Sequence, residues 1–388
     1  MDRYTMALMI KRTTTWRYSA VLLAMVMLLS CHKEGLPVHD EGHRMVLVYL
    51  AANNNLRGEA LNSIRKLQQG AKDLNGSLLA LIKTDTAAAY LLKIKYAAGM
   101  SIVSDTLKSY PLANTSDPAL LSAVMADARS LHPARSYGLI LWSHATSWAP
   151  PADIAIPESF GADNNREMDI SVLAAALPKD LEFILFDACS MGSIEVAYEL
   201  RKNTRYILAS AAEVLSTGFP YEEMTSLLFG GVAELTTAAA YYIRHYQQQP
   251  GPEASATVSL TATAGLDALA TTCAALVDAY TPKPGFVLKQ LQTLNFQQGV
   301  GVPAYDFADY LEQNYSQPAI APVLEQLQQV VIYSGHTTRF FDHTIRRYSG
   351  LSVFLPTQDE STRYKAYYQQ LTWDKATGWS RLFQHAHH

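Results

Sequence analysis

Short apolar runs alternate with longer segments of helical periodicity through the first half of the chain, and this alternation restricts the fold more than any other feature. Apolar runs occur at 45–52 (MVLVYLAA), 77–85 (SLLALIKTD), 136–144 (SYGLILWSH) and 183–189 (FILFDAC). A strand that is apolar along its whole length is usually covered on both faces. Strands separated by helices form βαβ units and a parallel sheet. The sequence therefore predicts an α/β fold, with a mainly parallel sheet flanked by helices on both faces.

The second half of the chain has a different pattern. From about Met224 it is mostly helical, with two further strands predicted at 257–262 (TVSLTA) and 348–356 (YSGLSVFLP). Earlier in the chain, 90–96 and 102–110 have the pattern of a hairpin or an edge pair. We therefore divide the chain into a signal peptide (1–31), a tether (32–43), an α/β core (44–224) and a mostly helical region (225–388) that completes the same domain.

The N-terminus has the composition of an export signal. Basic residues precede an apolar run at 18–29, which suits a signal-peptide core and is too short to span a bilayer comfortably. The run ends in Leu28-Leu29-Ser30-Cys31, which resembles the lipobox of bacterial lipoproteins, where the cysteine is acylated and becomes the mature N-terminus. An ordinary signal peptide or an uncleaved anchor is the alternative. We expect a lipidated Cys31 that anchors the exported protein to the bacterial cell envelope.

The net charge argues against a nucleic-acid partner, and the cysteine content argues against a fold that depends on disulfides. With a formal net charge of −4 and a pI near 6.3, the chain has no excess of basic residues to bind phosphate groups. We therefore expect no nucleic-acid partner. An exported protein that depended on disulfides would normally have more than the three cysteines present here. Cys273 lies in an Ala- and Leu-rich helical pattern and is most simply a small buried hydrophobe. Cys189 is therefore the cysteine that needs an explanation.

Two predicted strands end in reactive side chains, His144 and Cys189. Because ligands bind beyond the carboxyl ends of parallel strands, neighbouring strands would bring this imidazole and this thiol into one crevice. A thiolate is the working nucleophile, and a nearby imidazole accepts the thiol proton or stabilises the anion. Either residue alone is more often part of the packing, so the residues by themselves leave catalysis and packing open.

Four segments resemble the clostripain family of cysteine peptidases, which has a caspase-like or gingipain-like fold. They are VYLAANNNL, LILWSHATSW, FDACSMGSIEVAYEL and SAAEVLSTGFPY. The similarity extends from about Met45 to Phe383. It implies that the core is caspase-like and catalytic, with Cys189 as nucleophile and His144 as general base and acid. It also implies cleavage after Arg or Lys, with an acidic residue deep in the S1 pocket, which holds the side chain before the cleaved bond.

Asp187 matches the acidic residue of the family. Since side chains alternate between the faces of a strand, residues 187 and 189 face the same side, and Asp187 would lie beneath the thiol. A buried carboxylate is costly until a substrate cation neutralises it. The alternative role for Asp187 is that of a structural hydrogen-bond acceptor. We expect the backbone N–H groups of Ala145 and Cys189 to form the oxyanion hole.

The sequence departs from the family pattern at three places. Ala145, Thr146 and Ser147 stand where many members have glycines, and Asn53 stands where relatives often have Asp. Some members cleave themselves after a basic residue between the histidine and the cysteine, but 145–165 contains no Lys or Arg, so we expect an intact single chain. Calcium dependence occurs in some relatives, but no segment here has the spacing of a calcium loop, so we expect no metal and no cofactor.

The leading hypothesis is a monomeric cysteine endopeptidase that cleaves proteins or peptides after basic residues and contacts the membrane only through its lipid anchor. A catalytically weak surface binding protein is the second hypothesis, because the residues after His144 are altered. A thiol hydrolase that does not act on peptides is the third, and it would give Asp187 no role.

Overall fold

A computed structural model describes residues 44–83, 88–149, 160–163, 166–283, 288–296, 302–356 and 364–385. These residues belong to one compact unit that begins at Gly42. The predicted signal peptide and tether, residues 1–43, lie outside the described residues.

A nine-stranded sheet is the framework of the described part of the chain. The strands of the described residues, in chain order, are β1 Arg44–Ala51, β2 Gly76–Lys83, β3 Ala88–Ile94, β4 Ser104–Pro111, β5 Ser136–Trp142, β6 Phe160–Asp163, β7 Arg166–Met168, β8 Leu181–Asp187, β9 Thr204–Ala209, β10 Thr257–Ala262, β11 Ala304–Asp306, β12 Val331–His336, β13 Arg339–Phe340, β14 His343–Thr344 and β15 Ser352–Phe354. Five strands in the spatial order β2-β1-β5-β8-β9 are parallel. Antiparallel strands extend both sides, with β3 and β4 beyond β2, and β10 and β12 beyond β9.

The helices connect the parallel strands and cover the sheet. Those of the described residues are α1 Arg57–Gly70, α2 Pro118–Leu131, α3 Ile170–Ala176, α4 Ile194–Leu200, α5 Tyr221–Met224, α6 Val232–Gln247, α7 Leu266–Ala279, α8 Phe307–Asn314, α9 Gln317–Val330 and α10 Thr372–Thr377, with short 3₁₀ helices at Thr225–Phe229, Gly251–Glu253, Thr263–Gly265, Leu288–Gln290 and Trp379–His385. Four helices of the described residues begin where the sequence supplies a cap: the side chains of Asp117, Asp169, Ser193 and Asp306 each accept a hydrogen bond from a backbone N–H of the first turn.

The two faces of the sheet contribute to two separate apolar cores. Along β5, Leu139 and Leu141 belong to one core, whereas Ile140 and Trp142 belong to the other. Helices α2, α3, α4 and α7 cover the first face, and α1, α5 and α6 cover the second. This alternation explains why the parallel strands are apolar at almost every position.

The predicted fold class is confirmed, since the sheet is mainly parallel and has helices on both faces. The predicted pair at 90–96 and 102–110 is the antiparallel edge pair β3–β4. Of the two later strands, β10 joins the large sheet, but β15 pairs with β11 in a separate small sheet. The edge strand β12 was missed, because it follows α9 without a break and none of its six residues is fully buried.

Candidate active site

His144 and Cys189 lie beyond the ends of two neighbouring parallel strands. Trp142 is the last residue of β5, Asp187 is the last residue of β8, and the two are register partners. His144 and Cys189 each follow this pair by two residues. The Ser143 N–H also donates a hydrogen bond to the Asp187 carbonyl oxygen at 3.4 Å. The sheet therefore brings the imidazole and the thiol to the same edge.

A cavity of about 250 Å³ lies at this edge, and His144, Asp187 and Cys189 all line it. Its wall contains two carboxylates, Asp187 and Glu213, and no Lys or Arg among the described residues. The other lining residues are Leu56, Trp142, Ser143, Ala188, Val214, Leu215, Ser216, Gly218 and Phe341. The charged groups of this wall are therefore both acidic.

The thiol of Cys189 contacts the backbone of Val214. The Val214 N–H donates to Sγ at 3.4 Å, and Sγ–H donates to the Val214 carbonyl oxygen at 3.8 Å. Burial raises the pKa of Cys189 to about 11; the hydrogen bond from Val214 opposes this shift, and the charges of Glu213 and Asp187 add to it. In this arrangement the thiol is therefore neutral at neutral pH.

The turn after Cys189 is closely packed against the end of β9. Ser190 has φ of 60°, a left-handed conformation that is uncommon outside glycine, and its N–H donates to the Ala212 carbonyl oxygen at 2.9 Å. The Gly192 N–H donates to the Ser210 carbonyl oxygen at 2.7 Å, and a Cβ on Gly192 would lie 2.6 Å from the Ala211 nitrogen. The small residues that follow Cys189 in the sequence thus allow the close approach that fixes this turn.

The imidazole of His144 is bonded to Asn55. Its Nε2 lies 2.7 Å from Asn55 Oδ1. Burial lowers the pKa of His144, so the neutral ring is favoured. Within the described residues, no hydrogen bond joins the ring to the Cys189 thiol. The two predicted catalytic groups therefore share one cavity, with a neutral imidazole and a neutral thiol.

Asp187 is buried in the wall of the cavity with 4% of its surface exposed. Tyr221 Oη donates to its Oδ2 at 2.8 Å, and the Phe219 N–H donates to the same oxygen at 3.5 Å. Burial raises the pKa of Asp187 to about 6, although both hydrogen bonds oppose the shift. Gly218 has φ of 65°, and a Cβ there would lie 2.8 Å from Asp187 Oδ2. Only glycine can adopt this positive φ and also leave room for the Asp187 carboxylate without strain.

The sequence model of the clostripain family (peptidase C11) matches residues 48–385. The chain belongs to the clostripain family of cysteine peptidases. Clostripain from Hathewaya histolytica is 25% identical over 223 residues, which cover 48% of this chain and 42% of clostripain. The chain thus spans less than half the length of this curated relative.

Solved structures of the family have the same fold. An inactive zymogen C11 protease from Parabacteroides distasonis is 28% identical, with a TM-score of 0.74 over 86% of this chain and 97% of that chain. A secreted C11 cysteine protease from Bacteroides thetaiotaomicron is 24% identical, with a TM-score of 0.75 over 87% of this chain and 99% of that chain. At 24% identity, the similarity to the Bacteroides thetaiotaomicron protease shows a shared fold and nothing more. Together they confirm the caspase-like architecture that the resemblance implied.

The segment after His144 has Ala145, Thr146 and Ser147 where many clostripain-family members have glycines. Ala145 forms an isolated antiparallel bridge with Phe160, and the Gly161 N–H donates to the His144 carbonyl oxygen at 3.1 Å. Ser147 has φ of 70°, in the left-handed region. Ala145 is buried, and it is not among the described residues that line the cavity. The proposed contribution of its N–H to an oxyanion hole stays a prediction.

Asn53, which stands where clostripain-family relatives often have Asp, contacts a buried ion pair. Its Nδ2 donates to Asp163 Oδ1 at 2.7 Å, while Lys83 Nζ lies 2.7 Å from Asp163 Oδ2. The Thr115 N–H donates to the same Oδ2 at 2.8 Å. Burial acts to raise the pKa of Asp163, but Lys83, Thr115 and Asn53 outweigh it and lower the pKa. An amide at position 53 thus adds a hydrogen bond to a carboxylate that already has its counterion.

Several residues at the site were not assigned by the sequence. Tyr221 and Gly218 lie in the segment SAAEVLSTGFPY, which was recognised as a family landmark, but their contacts with Asp187 join distant parts of the chain. Asn55 lies in another landmark, VYLAANNNL. Phe341 comes from the turn between β13 and β14 and has no sequence signal that connects it to the cavity.

The described residues meet the requirements of neither a three-ligand metal site nor a membrane-spanning helix. No group of three or more His, Cys, Asp or Glu side chains among them is arranged to hold a metal ion. None of their helices is long and apolar enough to cross a membrane.

Proposed function

We propose that the protein is a cysteine endopeptidase that cleaves peptides after Arg or Lys with a dyad of Cys189 and His144. One observation carries the proposal: the thiol, the imidazole and the buried carboxylate of Asp187 line the same cavity. Family membership supports the same chemistry. The resemblance of LILWSHATSW and FDACSMGSIEVAYEL to clostripain-family segments supports Cys189 as nucleophile, His144 as general base and Asp187 as S1 carboxylate.

In the proposed reaction, the His144 imidazole accepts the Cys189 proton and the thiolate attacks the carbonyl carbon of the scissile bond. The tetrahedral oxyanion would be stabilised by backbone N–H groups, with those of Cys189 and Ala145 as candidates. Collapse breaks the C–N bond, and the imidazolium donates its proton to the leaving amine. Water then hydrolyses the thioester, with His144 accepting its proton, and the free thiol is restored. This sequence of steps requires no cofactor or metal.

The proposed selectivity follows from the charge of the cavity wall. Asp187 is buried, and its two hydrogen bonds come from Tyr221 and Phe219. A guanidinium or ammonium group in the cavity would neutralise a carboxylate that burial makes costly to ionise. Glu213 on the same wall adds a second negative charge. A basic side chain before the cleaved bond is therefore the occupant that the cavity favours.

Replacing Asp187 by Asn is expected to reduce kcat/KM for Arg reporter peptides by roughly ten- to a hundredfold, because a charge-assisted hydrogen bond of about 1.5–3 kcal/mol is lost. Peptides with a neutral residue at the same position should lose far less. With the native enzyme, kcat/KM for Arg peptides should also fall as the pH drops through about 6, where Asp187 becomes protonated. Steady-state kinetics on paired Arg and norleucine peptides, as a function of pH, measure both effects.

The matched control is Asp180→Asn, at the residue directly before the first residue of β8. Asp180 forms an ion pair with Arg129 on the surface, and 61% of its side chain is exposed. Its kinetics should equal those of the native enzyme for both peptides. An equal loss on Arg and norleucine peptides in Asp187→Asn would show that Asp187 is a structural residue and not a determinant of selectivity.

A catalytically weak binding protein is the second candidate, and the neutral thiol favours it. Burial holds the pKa of Cys189 far above neutrality, and its hydrogen bonds are to Val214 instead of an imidazole. Labelling with a peptidyl-Arg acyloxymethyl ketone, read by mass spectrometry at Cys189, separates the two candidates. An adduct with basic preference supports the peptidase, and the absence of any adduct supports the binding protein.

We also propose that Cys31 is acylated and that this lipid anchors an exported, monomeric protein to the cell envelope. Cys31→Ser should move the protein from the membrane fraction to the soluble fraction, because serine cannot receive the thioether-linked lipid. Cell fractionation with immunoblotting measures this change. Cys273→Ala, at a buried helical position, is the control and should stay with the membrane. If Cys31→Ser also stays there, the N-terminus is an uncleaved anchor.

A further inference from the structure

The side chain of Asn55 has one hydrogen bond among the described residues, and its partner is His144. His144 Nε2 lies 2.7 Å from Asn55 Oδ1, and an amide oxygen is an acceptor only, so in this orientation of the amide Nε2 carries the proton and donates it. A neutral imidazole that donates from Nε2 has its lone pair on Nδ1. This orientation of the Asn55 amide therefore goes with a basic Nδ1.

The backbone on both sides of Asn55 is held in place. Asn54 Nδ2 donates to the carbonyl oxygens of Ala51 at 3.0 Å and Ala162 at 2.9 Å, and Asn54 Oδ1 accepts from the Leu56 N–H at 2.8 Å. Asn53 is bonded to the buried carboxylate of Asp163. The three consecutive asparagines after β1 thus share no partner, and the first two fix the position from which the third reaches the imidazole.

Asn55 contributes little to the packed interior. It is exposed, in contrast to the residues of β1 that precede it. An exposed asparagine in a loop with a single side-chain hydrogen bond is replaceable without loss of the fold. Its contact with His144 is therefore best explained by an effect on the imidazole.

We propose that Asn55 is a positioning residue that holds His144 in the tautomer with Nε2 protonated, so that Nδ1 accepts the proton of Cys189. The inference rests on the dyad of the proposed function and assigns a third residue to it. Asn55 touches neither the thiol nor the substrate in this account. It acts only through the orientation and the tautomer of the ring, as the third residue of a catalytic triad does.

Asn55→Ala is expected to lower kcat roughly ten- to a hundredfold with little change in KM, less than the full 10²–10⁴-fold contribution of a general base, because the freed ring still samples the productive tautomer. Asn55→Asp should recover much of this loss, since a carboxylate accepts the same hydrogen bond. It should also shift the acidic limb of the kcat profile to higher pH, because the negative charge stabilises the imidazolium. Asn62→Ala is the matched control: Asn62 is exposed on α1 and accepts a hydrogen bond from Arg65. It should keep native kinetics.

Kinetics of His144→Ala, measured beside these variants, separate the failure of the inference from the failure of the dyad. If His144→Ala is inactive while Asn55→Ala keeps native kcat and a native pH profile, the role of Asn55 is refuted and the dyad stands. If His144→Ala keeps native kcat, the dyad and the inference both fail. An equal loss of kcat in Asn55→Ala and Asn55→Asp, with an unshifted pH profile in both, would also overturn the tautomer role.

Discussion

Cys189→Ala is expected to reduce kcat/KM for Arg peptides by at least about 10⁴-fold, because removing the proposed nucleophile of a covalent mechanism leaves only binding and oxyanion stabilisation. The substitution removes one sulfur from a half-buried position at the wall of a cavity, so the fold should stay intact. Activity on an Arg reporter peptide and the melting temperature, measured on the same preparation, test both parts. Residual activity in the variant should equal that of a buffer blank within the sensitivity of the assay.

The other described cysteine provides the control. Cys273 is fully buried in α7, and burial raises the pKa of its thiol well above the ordinary value, so it should neither react nor contribute to catalysis. Cys273→Ala should keep native activity and native labelling by the peptidyl ketone. If Cys189→Ala hydrolyses Arg peptides at a native rate, the nucleophile is another group and the dyad is wrong.

Asp163→Ala is expected to lower the free energy of unfolding by about 3–5 kcal/mol, because it leaves the ammonium group of Lys83 buried without its counterion. In the native chain, 3% of the Lys83 side chain and 0% of the Asp163 side chain is exposed, and their closest N–O distance is 2.7 Å. The substitution also removes the acceptor of the Thr115 N–H and of Asn53. Equilibrium unfolding in urea measures the change.

A surface ion pair of the same type provides the control for this experiment. Lys95 and Asp105 are also 2.7 Å apart, but 48% and 54% of their side chains are exposed. Asp105→Ala should therefore cost less than about 1 kcal/mol, since water screens the pair and solvates the remaining charge. The double variant Lys83→Met, Asp163→Ala should be more stable than Asp163→Ala alone. If Asp163→Ala and Asp105→Ala lower the free energy of unfolding equally, the buried pair contributes no more to stability than the surface pair.

The sequence predicted the architecture because its strongest signal is local. Apolar runs such as 45–52 are buried along their whole length, as strands covered on both faces must be. Strand β12 was missed because its pattern depends on its place at an edge, where one side of the strand has no neighbour. Edge position is a property of the complete sheet and not of the six residues that form the strand.

The candidate site was only partly predictable for the same reason. His144, Asp187 and Cys189 were found because strand ends are recognisable and a parallel sheet aligns them. The sequence placed Asp187 near the thiol through strand alternation, although the strand ends at Asp187 and a strained turn positions Cys189. Asn55 and Tyr221 escaped notice because each acts through a hydrogen bond to a residue at least thirty positions away, at separations of 89 and 34. Such contacts have no local pattern.

The cavity is built from widely separated parts of the chain, among them Leu56, His144, Cys189, the stretch 213–218 and Phe341. A ribosome must therefore synthesise the chain as far as Phe341 before all of these walls exist. Until then neither a nascent chain nor a truncated fragment has a complete cleft in which to hold a peptide. An unfinished chain, whose unfolded segments are the easiest to cut, therefore lacks part of the cleft that would hold a peptide for cutting.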